Sequence, residues 1–365
     1  MQPPSLTVKA FSHHYPVWVG SGLLAQIGDA IRETSPGASS VMVITDENVN
    51  RYYGDDVKEH LERSGYSFKT IVVPAGESSK SISSYEQVLT AMLQAGLDRK
   101  SLVIALGGGV VGDLAGFAAA TYMRGIPFLQ VPTTLLAHDS SVGGKTGINH
   151  PLGKNMIGAF HAPAGVLFDS DVFNTLTDAE WRSGFAEVIK HGFIRDPEFL
   201  SSLVNEFPKR ENLTGSQVNQ MLEYSISIKA SIVEEDEREQ GIRAYLNFGH
   251  TLGHAVEGNV GYGEVTHGEA VVIGMRFAIL LGDKLGMQPA DETAHIFDFL
   301  DNQGYQLSIP DTCTQSELLK LMRRDKKSTS QKLNFVLLNR IGDPELREVD
   351  EETVCQILDE EGVRK

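Results

Sequence analysis

The chain has few cysteines and a shortage of positive charge. Only two of its 365 residues are cysteines, which excludes a disulfide framework and a cysteine zinc site and suits a reducing cytoplasm. Its 32 lysines and arginines are outnumbered by 48 aspartates and glutamates, so the formal net charge is −16. Nucleic acids and anionic membranes bind basic surfaces, and neither is expected as a partner. An anionic substrate would need a local cluster of basic side chains.

Long apolar runs are also missing. Segment 1–15 contains no apolar core of the signal-peptide type. No stretch approaches the run of about 18 apolar residues that marks a membrane-spanning helix. Apolar residues make up 41% of the chain and charged residues 22%, which is typical of a globular protein. We therefore expect a cytoplasmic protein, long enough for two domains with a large core.

The first half of the chain alternates between strand and helix patterns. Helical periodicity predicts a helix at 85–97, and short apolar runs predict strands at 41–45, 70–73, 102–106 and 128–131. This alternation predicts a Rossmann-like α/β domain with helices on both faces of a parallel sheet.

Helical periodicity dominates the second half. Helices are predicted at 179–193, 216–238, 248–259, 269–285, 290–302 and 315–322, and one late strand at 333–338. We therefore predict two domains, an α/β domain over 1–178 and an all-α domain over 179–365.

A glycine-rich turn follows the strand predicted at 102–106. Gly107, Gly109 and Gly112 form the pattern G-x-G-x-x-G between a strand and a helix. Glycines let the backbone approach a pyrophosphate, and the helix start offers free N–H groups. Plain tight turns show the same pattern, so it favours dinucleotide binding without establishing it. The preceding strand would be the third or fourth along the chain, whereas the usual Rossmann fingerprint follows the first. Further residues at the ends of neighbouring strands suit the adenosine half: Asp46, Gly76, Glu77 and Lys80.

Three histidines and a glutamate indicate a metal site in the second half. His250 and His254 are four residues apart and would share one helix face, His267 follows, and Glu187 lies upstream. Two histidines and a carboxylate with an open fourth position form a common catalytic zinc site. Hydrogen-bonded core histidines are the alternative, although the adjacent glycines cost helix stability and need a reason. No glutamate follows the first histidine, which argues against a metalloprotease.

Basic residues recur beside the glycine-rich and histidine-rich segments. In an acidic protein this placement predicts a clamp for carboxylate and phosphate groups, although most lysines are solvated surface residues. Segment 132–155 is expected to form a loop dense in lysine, threonine, aspartate and asparagine. The basic residues are Arg124, Lys145, Lys154, Lys190, Lys229, Arg243, Lys326 and Lys327.

The chain closely resembles the 3-dehydroquinate synthase family of the shikimate pathway over essentially its full length. One local departure is that many members carry an extra residue before Asp139, which here directly follows His138; the spacing from Asp139 to Lys145 is kept. The matching segments are Pro-Ala-Gly-Glu-Ser-Ser-Lys (74–80), Gly-Gly-Gly-Val-Val-Gly-Asp (107–113), Pro-Thr-Thr-Leu-Leu-Ala (132–137), Asp-Ser-Ser-Val-Gly-Gly-Lys (139–145), His-Pro-Leu-Gly-Lys-Asn (150–155), Ala-Glu-Val-Ile-Lys (186–190), Asn-Phe-Gly-His-Thr-Leu-Gly-His (247–254) and His-Gly-Glu-Ala-Val (267–271).

The resemblance implies an NAD-binding domain followed by a helical domain that binds metal and substrate. It implies NAD and one divalent metal as cofactors, usually zinc, with cobalt able to serve. The implied reaction converts 3-deoxy-D-arabino-heptulosonate 7-phosphate to 3-dehydroquinate and phosphate, in chorismate and aromatic amino acid biosynthesis, and the implied assembly is a homodimer.

Site residues are implied by the same motifs. The metal ligands would be Glu187, His250 and His267. The residues around NAD would be Asp46, Ala75, Gly76, Glu77, Ser78, Ser79, Lys80, Gly109, Val110, Val111, Gly112, Asp113, Thr133, Thr134, Lys145, Lys154, Val172, Phe173, Asn174 and Thr175. The residues around the substrate would be Asp139, Lys145, Asn155, Lys190, Lys229, Arg243, Asn247 and His254, with Arg124 from the partner subunit and one of Lys326 and Lys327.

Three other functions stay open. A related sugar phosphate cyclase, such as 2-deoxy-scyllo-inosose synthase, would differ in the residues that face the substrate; Lys229, Arg243 and Asn247 favour a substrate with a carboxylate. A metal- and NAD-dependent polyol dehydrogenase would release NADH in net turnover. A non-catalytic nucleotide-binding module would need no metal triad.

Overall fold

The structure is a computed structural model that describes residues 1–207, 209–261, 264–287, 290–325 and 332–365. Its strands are β1 (Leu6–Lys9), β2 (His14–Gly20), β3 (Val41–Asp46), β4 (Phe68–Val73), β5 (Leu102–Gly107), β6 (Phe128–Pro132), β7 (Lys145–His150), β8 (Gly153–Phe160), β9 (Gly165–Asp169), β10 (Lys332–Arg340) and β11 (Asp343–Asp350). Its α-helices are α1 (Ile27–Thr34), α2 (Glu47–Arg63), α3 (Ile82–Gln94), α4 (Gly109–Thr121), α5 (Ala137–Ser140), α6 (Asp178–Arg195), α7 (Pro197–Glu206), α8 (Gly215–Glu235), α9 (His250–Val260), α10 (His267–Lys284), α11 (Ala290–Asn302), α12 (Gln315–Asp325) and α13 (Glu351–Glu360).

The chain divides into two compact units. Unit 1 comprises Met1–Leu176 and Thr214–Glu237, and unit 2 comprises Thr177–Leu213 and Arg238–Lys365. Helix α8 thus groups with unit 1, where Ser5 donates a 2.6 Å hydrogen bond to Glu223 of this helix and the Lys9 amide donates one of 3.0 Å to Glu234. The two functional domains expected over 1–178 and 179–365 stay a prediction.

Unit 1 is built on a seven-stranded sheet of order β1-β2-β9-β6-β5-β3-β4. Strand β1 is antiparallel to β2, and the other neighbouring pairs are parallel. Strands β5, β6 and β9 are buried along their whole length, because a parallel strand covered on both faces needs a continuous apolar run. The Rossmann-like α/β domain expected for the first half is confirmed.

The parallel strands place the predicted cofactor segments on one edge of the sheet. Strands β4, β3, β5 and β6 are neighbours and run in the same direction, so their carboxyl ends meet there, as is usual for ligand sites in open α/β sheets. The glycine turn follows the fifth strand along the chain, however, and not the third or fourth. The strands β1 and β2 were not predicted; in β2, His14 and Pro16 interrupt the apolar pattern.

Segment 145–160 is a two-stranded antiparallel hairpin, β7–β8, and not part of a loop as expected. Gly147 pairs with Gly158 in its register. A Cβ atom on Gly158 would lie 2.4 Å from the Thr146 carbonyl oxygen, so the close backbone approach requires glycine there. Glycine weakens the sequence signal of a strand, which explains the error.

Unit 2 is largely helical, as predicted. The predicted helices of the second half are found with ends within three residues of those expected, and the late strand is β10, paired with the unpredicted β11 in a hairpin. Helices α6 and α10 both begin with capping boxes, Thr177–Glu180 and Thr266–Glu269, which satisfy the amide groups of the first turn. None of the described helices is both long and apolar enough to cross a membrane.

Candidate functional site

The glycine turn joins β5 to α4 at the carboxyl edge of the unit 1 sheet. Helix α4 begins at Gly109 after an extended Gly108, so the amide groups of its first turn lie at this edge. A Cβ atom on Gly112 would lie 2.7 Å from Gln130 Oε1 in β6, and one on Gly108 would lie 3.0 Å from Thr134 Cγ2. A larger residue at either position would have to displace the side chain of Gln130 or Thr134. The turn has the geometry of an anion-binding helix start.

Lys80 connects several of the predicted site residues in unit 1. Its ammonium group donates hydrogen bonds to Asp113 Oδ2 (2.7 Å) and Asn155 Oδ1 (2.5 Å), and its side chain is only 5% exposed. Burial raises the pKa of Asp113, and the charge and hydrogen bond of Lys80 oppose that rise. Glu77 Oε1 lies 3.8 Å from Lys80 Nζ and 3.9 Å from Lys154 Nζ. The structure thus brings together residues expected around the cofactor and the substrate.

Asn149 organises the same network, although sequence reasoning did not single it out. Its backbone amide donates a hydrogen bond to the Lys80 carbonyl oxygen (2.8 Å), and its side-chain Nδ2 donates one to Glu77 Oε1 (2.8 Å). Its side-chain oxygen accepts from the Asn155 amide (2.9 Å). Asn155 has a left-handed backbone (φ 53°), which this hydrogen bond helps to hold. Asn149 falls between the matched segments 139–145 and 150–155, and no spacing rule links it to the loop at 74–80.

The remaining predicted cofactor residues also follow strand ends. Asp46 N-caps α2, with Oδ1 accepting from the amides of Asn48 and Val49. The Thr133 hydroxyl is buried and has no hydrogen-bond partner among the described residues. The turn Ser170–Thr175 is held by the Tyr53 hydroxyl, which contacts the Val172 carbonyl (2.9 Å). Within it Val172 and Phe173 are buried, whereas Asn174 and Thr175 are exposed.

Asp139 and Lys229 form an ion pair within unit 1. Lys229 Nζ lies 2.9 Å from Asp139 Oδ2 and also contacts the Asp139 carbonyl, and Lys229 is 5% exposed. The neighbouring His138 is fully buried; its Nδ1 faces the Leu135 carbonyl (2.6 Å) and its Nε2 faces the Ser225 hydroxyl (3.0 Å). His138 therefore fixes α5 against α8 one helical turn from Lys229.

Arg124 lies in an exposed turn with unusual backbone geometry. Met123 (φ 49°) and Arg124 (φ 69°) both have left-handed conformations, which cost about 1 kcal/mol each for residues other than glycine. The turn is held by the Ile126 amide, which donates to the Ala119 carbonyl (2.9 Å), and by His161 Nε2, which lies 3.0 Å from the Ile126 carbonyl. Lys145, the first residue of β7, is also exposed.

The three histidines of the predicted metal site meet in unit 2. One ring nitrogen from each of His250, His254 and His267 lies within 4.8 Å of the others. Glu187 Oε1 lies 3.6 Å from His250 Nε2 and 3.6 Å from His267 Nε2. Two ligands about 2.1 Å from one tetrahedral zinc ion are separated by roughly 3.4 Å. The donor set and its spacing therefore fit a divalent metal.

Glycines allow these ligands to converge. A Cβ atom on Gly274 of α10 would lie 1.8 Å from the Gly249 carbonyl oxygen at the start of α9, and one on Gly268 would lie 2.0 Å from the Ser183 carbonyl oxygen in α6. Gly249 also has a left-handed backbone (φ 80°). The glycines that weaken the helical pattern thus let the backbones of α6, α9 and α10 approach closely.

The two predicted ligand histidines have pKa values shifted in opposite directions. Burial and the Lys190 charge hold the pKa of His250 well below its usual range, against the attraction of Glu187. Burial also lowers the pKa of His267, but hydrogen bonds and charges of Glu187 and Glu257 outweigh it and raise the pKa to about 9. The buried Lys190 forms an ion pair with Glu187 one turn away on α6.

Two further predicted substrate residues lie just before α9. Arg243 is buried, and Asn247 donates a hydrogen bond to Glu239 Oε1 (2.8 Å). Glu239 was not predicted; it has a left-handed backbone (φ 57°), which no sequence pattern reveals. Lys326 and Lys327 lie outside the described residues.

Models of one family match most of the chain. The 3-dehydroquinate synthase N-terminal model matches residues 70–183, and the 3-dehydroquinate synthase C-terminal model matches residues 184–328. The 3-dehydroquinate synthase of Halalkalibacterium halodurans is 50% identical over 361 residues, which cover 98% of each chain.

Solved structures share the fold over the whole chain. A 2-epi-5-epi-valiolone synthase from Streptomyces hygroscopicus with NAD+ and Zn2+ bound has a TM-score of 0.85 and 26% identity, covering 99% of each chain. A 2-deoxy-scyllo-inosose synthase complexed with carbaglucose-6-phosphate, NAD+ and Co2+ has a TM-score of 0.87 and 23% identity, covering 97% of this chain and 99% of that one.

Proposed function

Because the chain belongs to the 3-dehydroquinate synthase family, we propose that it converts 3-deoxy-D-arabino-heptulosonate 7-phosphate to 3-dehydroquinate and phosphate. This reaction belongs to chorismate and aromatic amino acid biosynthesis. The observation that carries the proposal is the cluster in which Glu187 Oε1 lies 3.6 Å from both His250 Nε2 and His267 Nε2. Such a cluster is unexpected in a module that only binds nucleotides.

NAD fits the carboxyl edge of the unit 1 sheet. The glycine turn 107–113 suits the pyrophosphate, and Asp46 and the loop 74–80 suit the adenosine half. The buried Thr133 hydroxyl, without a partner among the described residues, is a donor and acceptor that a ligand would satisfy. The other predicted residues at this edge, from Val172 to Thr175 and at Lys145 and Lys154, would complete the cofactor contacts.

A divalent metal fits Glu187, His250 and His267. The pKa of His250 is lowered, so this ring is neutral and able to donate a lone pair. Zinc is the first candidate because two imidazoles and one carboxylate with an open position are typical of catalytic zinc, and cobalt accepts the same set. When bound, NAD takes up and returns a hydride, and the metal lowers the pKa of the hydroxyl group to be oxidised.

The chain's own residues would orient a substrate that carries two anionic groups. Lys145, Lys190, Lys229 and Arg243 suit its carboxylate and phosphate groups. Because Lys190 and Lys229 are already held by Glu187 and Asp139, their charges are preorganised and need little rearrangement during the reaction. Asn247 and the residues Asp139, Asn155 and His254 complete the set that we assign to the substrate.

Elimination of phosphate needs charge stabilisation more than a separate base. Negative charge builds up on the phosphate oxygens as the carbon–oxygen bond breaks, and Asn155 and His254 would donate hydrogen bonds to them. The departing phosphate can take the proton of the neighbouring C–H bond itself. We assign the protein a positioning role in this step and in the final intramolecular aldol closure.

We further assign the protein to the cytoplasm as a homodimer. Two cysteines in 365 residues suit a reducing compartment. A homodimer would let Arg124 of one subunit contact substrate bound to the other, and the exposed turn that carries Arg124 is accessible for such a role.

Release of inorganic phosphate tests the reaction. Purified protein is mixed with the heptulosonate phosphate and catalytic NAD, with and without chelator, while phosphate and NADH are followed. Phosphate release that chelator stops, with no net NADH, supports the proposal. No release, with NADH accumulating on a polyol, would assign the chain to the dehydrogenases. Release from glucose 6-phosphate instead would favour a 2-deoxy-scyllo-inosose synthase.

A further inference from the structure

We propose that Glu257 is a positioning residue that orients His267 and strengthens metal binding. This inference rests on the proposed metal site. Glu257 Oε2 lies 3.3 Å from His267 Nδ1, while the other nitrogen of the same ring lies 3.6 Å from Glu187 Oε1. The ring of His267 is therefore held between two carboxylates in unit 2, one at the metal cluster and one behind it.

The helix α9 delivers Glu257 to this place. His250, His254 and Glu257 stand at positions i, i+4 and i+7, which fall within about 60° of one another around a helix of 3.6 residues per turn. The two histidines belong to the metal cluster, so the same helix face continues to Glu257. Only 7% of Glu257 is exposed; buried carboxylates are expensive unless they are paired.

The two candidate ligand histidines are supported in different ways. His250 Nδ1 faces the Phe248 carbonyl oxygen at 3.1 Å, and a carbonyl only accepts, so Nδ1 carries the proton and Nε2 is free to bind metal. His267 has a charged acceptor, Glu257, in the equivalent place. A carboxylate behind a metal-bound imidazole fixes its tautomer and increases its basicity.

The charges of the cluster support the same role. Ion pairs within unit 2 join Glu187 to Lys190 and His267 to Glu257. Because the Lys190 charge balances that of Glu187, the negative charge of Glu257 would offset part of the charge of a divalent cation bound to His267. Removal of its charge should weaken metal binding even if the hydrogen bond survives.

Zinc competition with a chromophoric chelator tests this inference independently of activity. We expect Glu257→Gln to weaken zinc binding about tenfold and Glu257→Ala by up to roughly 100-fold, the range known for outer carboxylates. Glu292→Gln is the matched control because Glu292 is exposed on α11, and its zinc affinity should equal that of the wild type. The visible spectrum of bound cobalt reports ligand geometry and should change in the Glu257 variants only.

The outcomes separate this inference from the proposed function. Wild-type zinc affinity and an unchanged cobalt spectrum in both Glu257 variants would overturn the role of Glu257 and leave the proposed reaction intact. A wild-type protein that binds no metal would overturn both. Circular dichroism shows whether Glu257→Ala folds, and the isosteric Glu257→Gln keeps the test decisive if it does not.

Discussion

Replacement of Gly274 by alanine should separate the two helices that carry the histidines. The new Cβ atom would lie 1.8 Å from the Gly249 carbonyl oxygen and 2.9 Å from the Gly253 amide nitrogen. Real contacts of this kind do not fall below 3.0 Å, so α9 and α10 must move apart by at least 3.0 − 1.8 = 1.2 Å. The obstacles are backbone atoms, which cannot rotate away.

The consequence for the site follows from metal geometry. His250 and His254 lie on α9 and His267 begins α10, so a shift of this size alters their spacing directly. Metal–ligand distances tolerate only about 0.2 Å, and a misplacement of about 1 Å can cost roughly 100-fold in turnover. We also expect a loss of about 1–3 kcal/mol in the free energy of unfolding, since the core is overpacked.

Gly258→Ala is the matched control, on α9, the helix that Gly274 of α10 approaches. A Cβ atom there would meet only the side chain of Leu321, at 3.7 Å, and alanine is favoured over glycine in a helix by about 0.5–1 kcal/mol. Zinc competition, phosphate release and urea unfolding are measured for both variants. Gly274→Ala should lose zinc affinity and activity, whereas Gly258→Ala should keep both and unfold at higher urea. If Gly274→Ala kept wild-type zinc affinity, close helix contact would not be what assembles the site.

Three further variants or conditions probe the remaining assignments. Asn149→Ala should weaken NAD binding about tenfold in calorimetric titration, because it frees Glu77 and Asn155 at a cost of about 1–3 kcal/mol; unchanged affinity would contradict its role. Apparent zinc affinity should rise with pH up to about 9, because His267 has a pKa of about 9 without metal and must lose its proton to bind. A zinc affinity that stays constant from pH 7 to 9 would argue against His267 as a ligand. Arg124→Ala should be inactive alone. If each site borrows Arg124 from the partner subunit, random mixing with His250→Ala should restore about a quarter of wild-type activity, because half of the dimers are then mixed and each has one intact site of two. No recovery on subunit exchange would place Arg124 in its own subunit's site.

Much of the fold could be predicted because its elements bury apolar residues at regular spacing. Strand β5 is an apolar run buried at every position, and it was found within one residue. Strand β2 was missed because His14 and Pro16 interrupt its apolar pattern, and the hairpin β7–β8 was missed because its glycines weaken the strand signal. Helix α3 begins at Ile82, three residues earlier than predicted, because the Ser81 side chain accepts a hydrogen bond from the Ser84 amide; local capping overrides periodicity at helix ends.

The candidate site, like the fold, could be predicted from the sequence only in part. Spacing alone connects His250 with His254, and it would also have found Glu257 at i+7, had the helix face been followed further. It could not connect Glu187 on α6 with His267 on α10, because only packing brings those helices together. The sequence did hold a trace of that packing: Gly249, Gly253 and Gly268 cost helix stability without any local benefit. In the structure each of them replaces a side chain that would strike a neighbouring backbone within 3 Å. Glycines that disrupt a helical pattern beside potential metal ligands are therefore evidence about tertiary contacts, and they indicate a built site where the histidines alone do not.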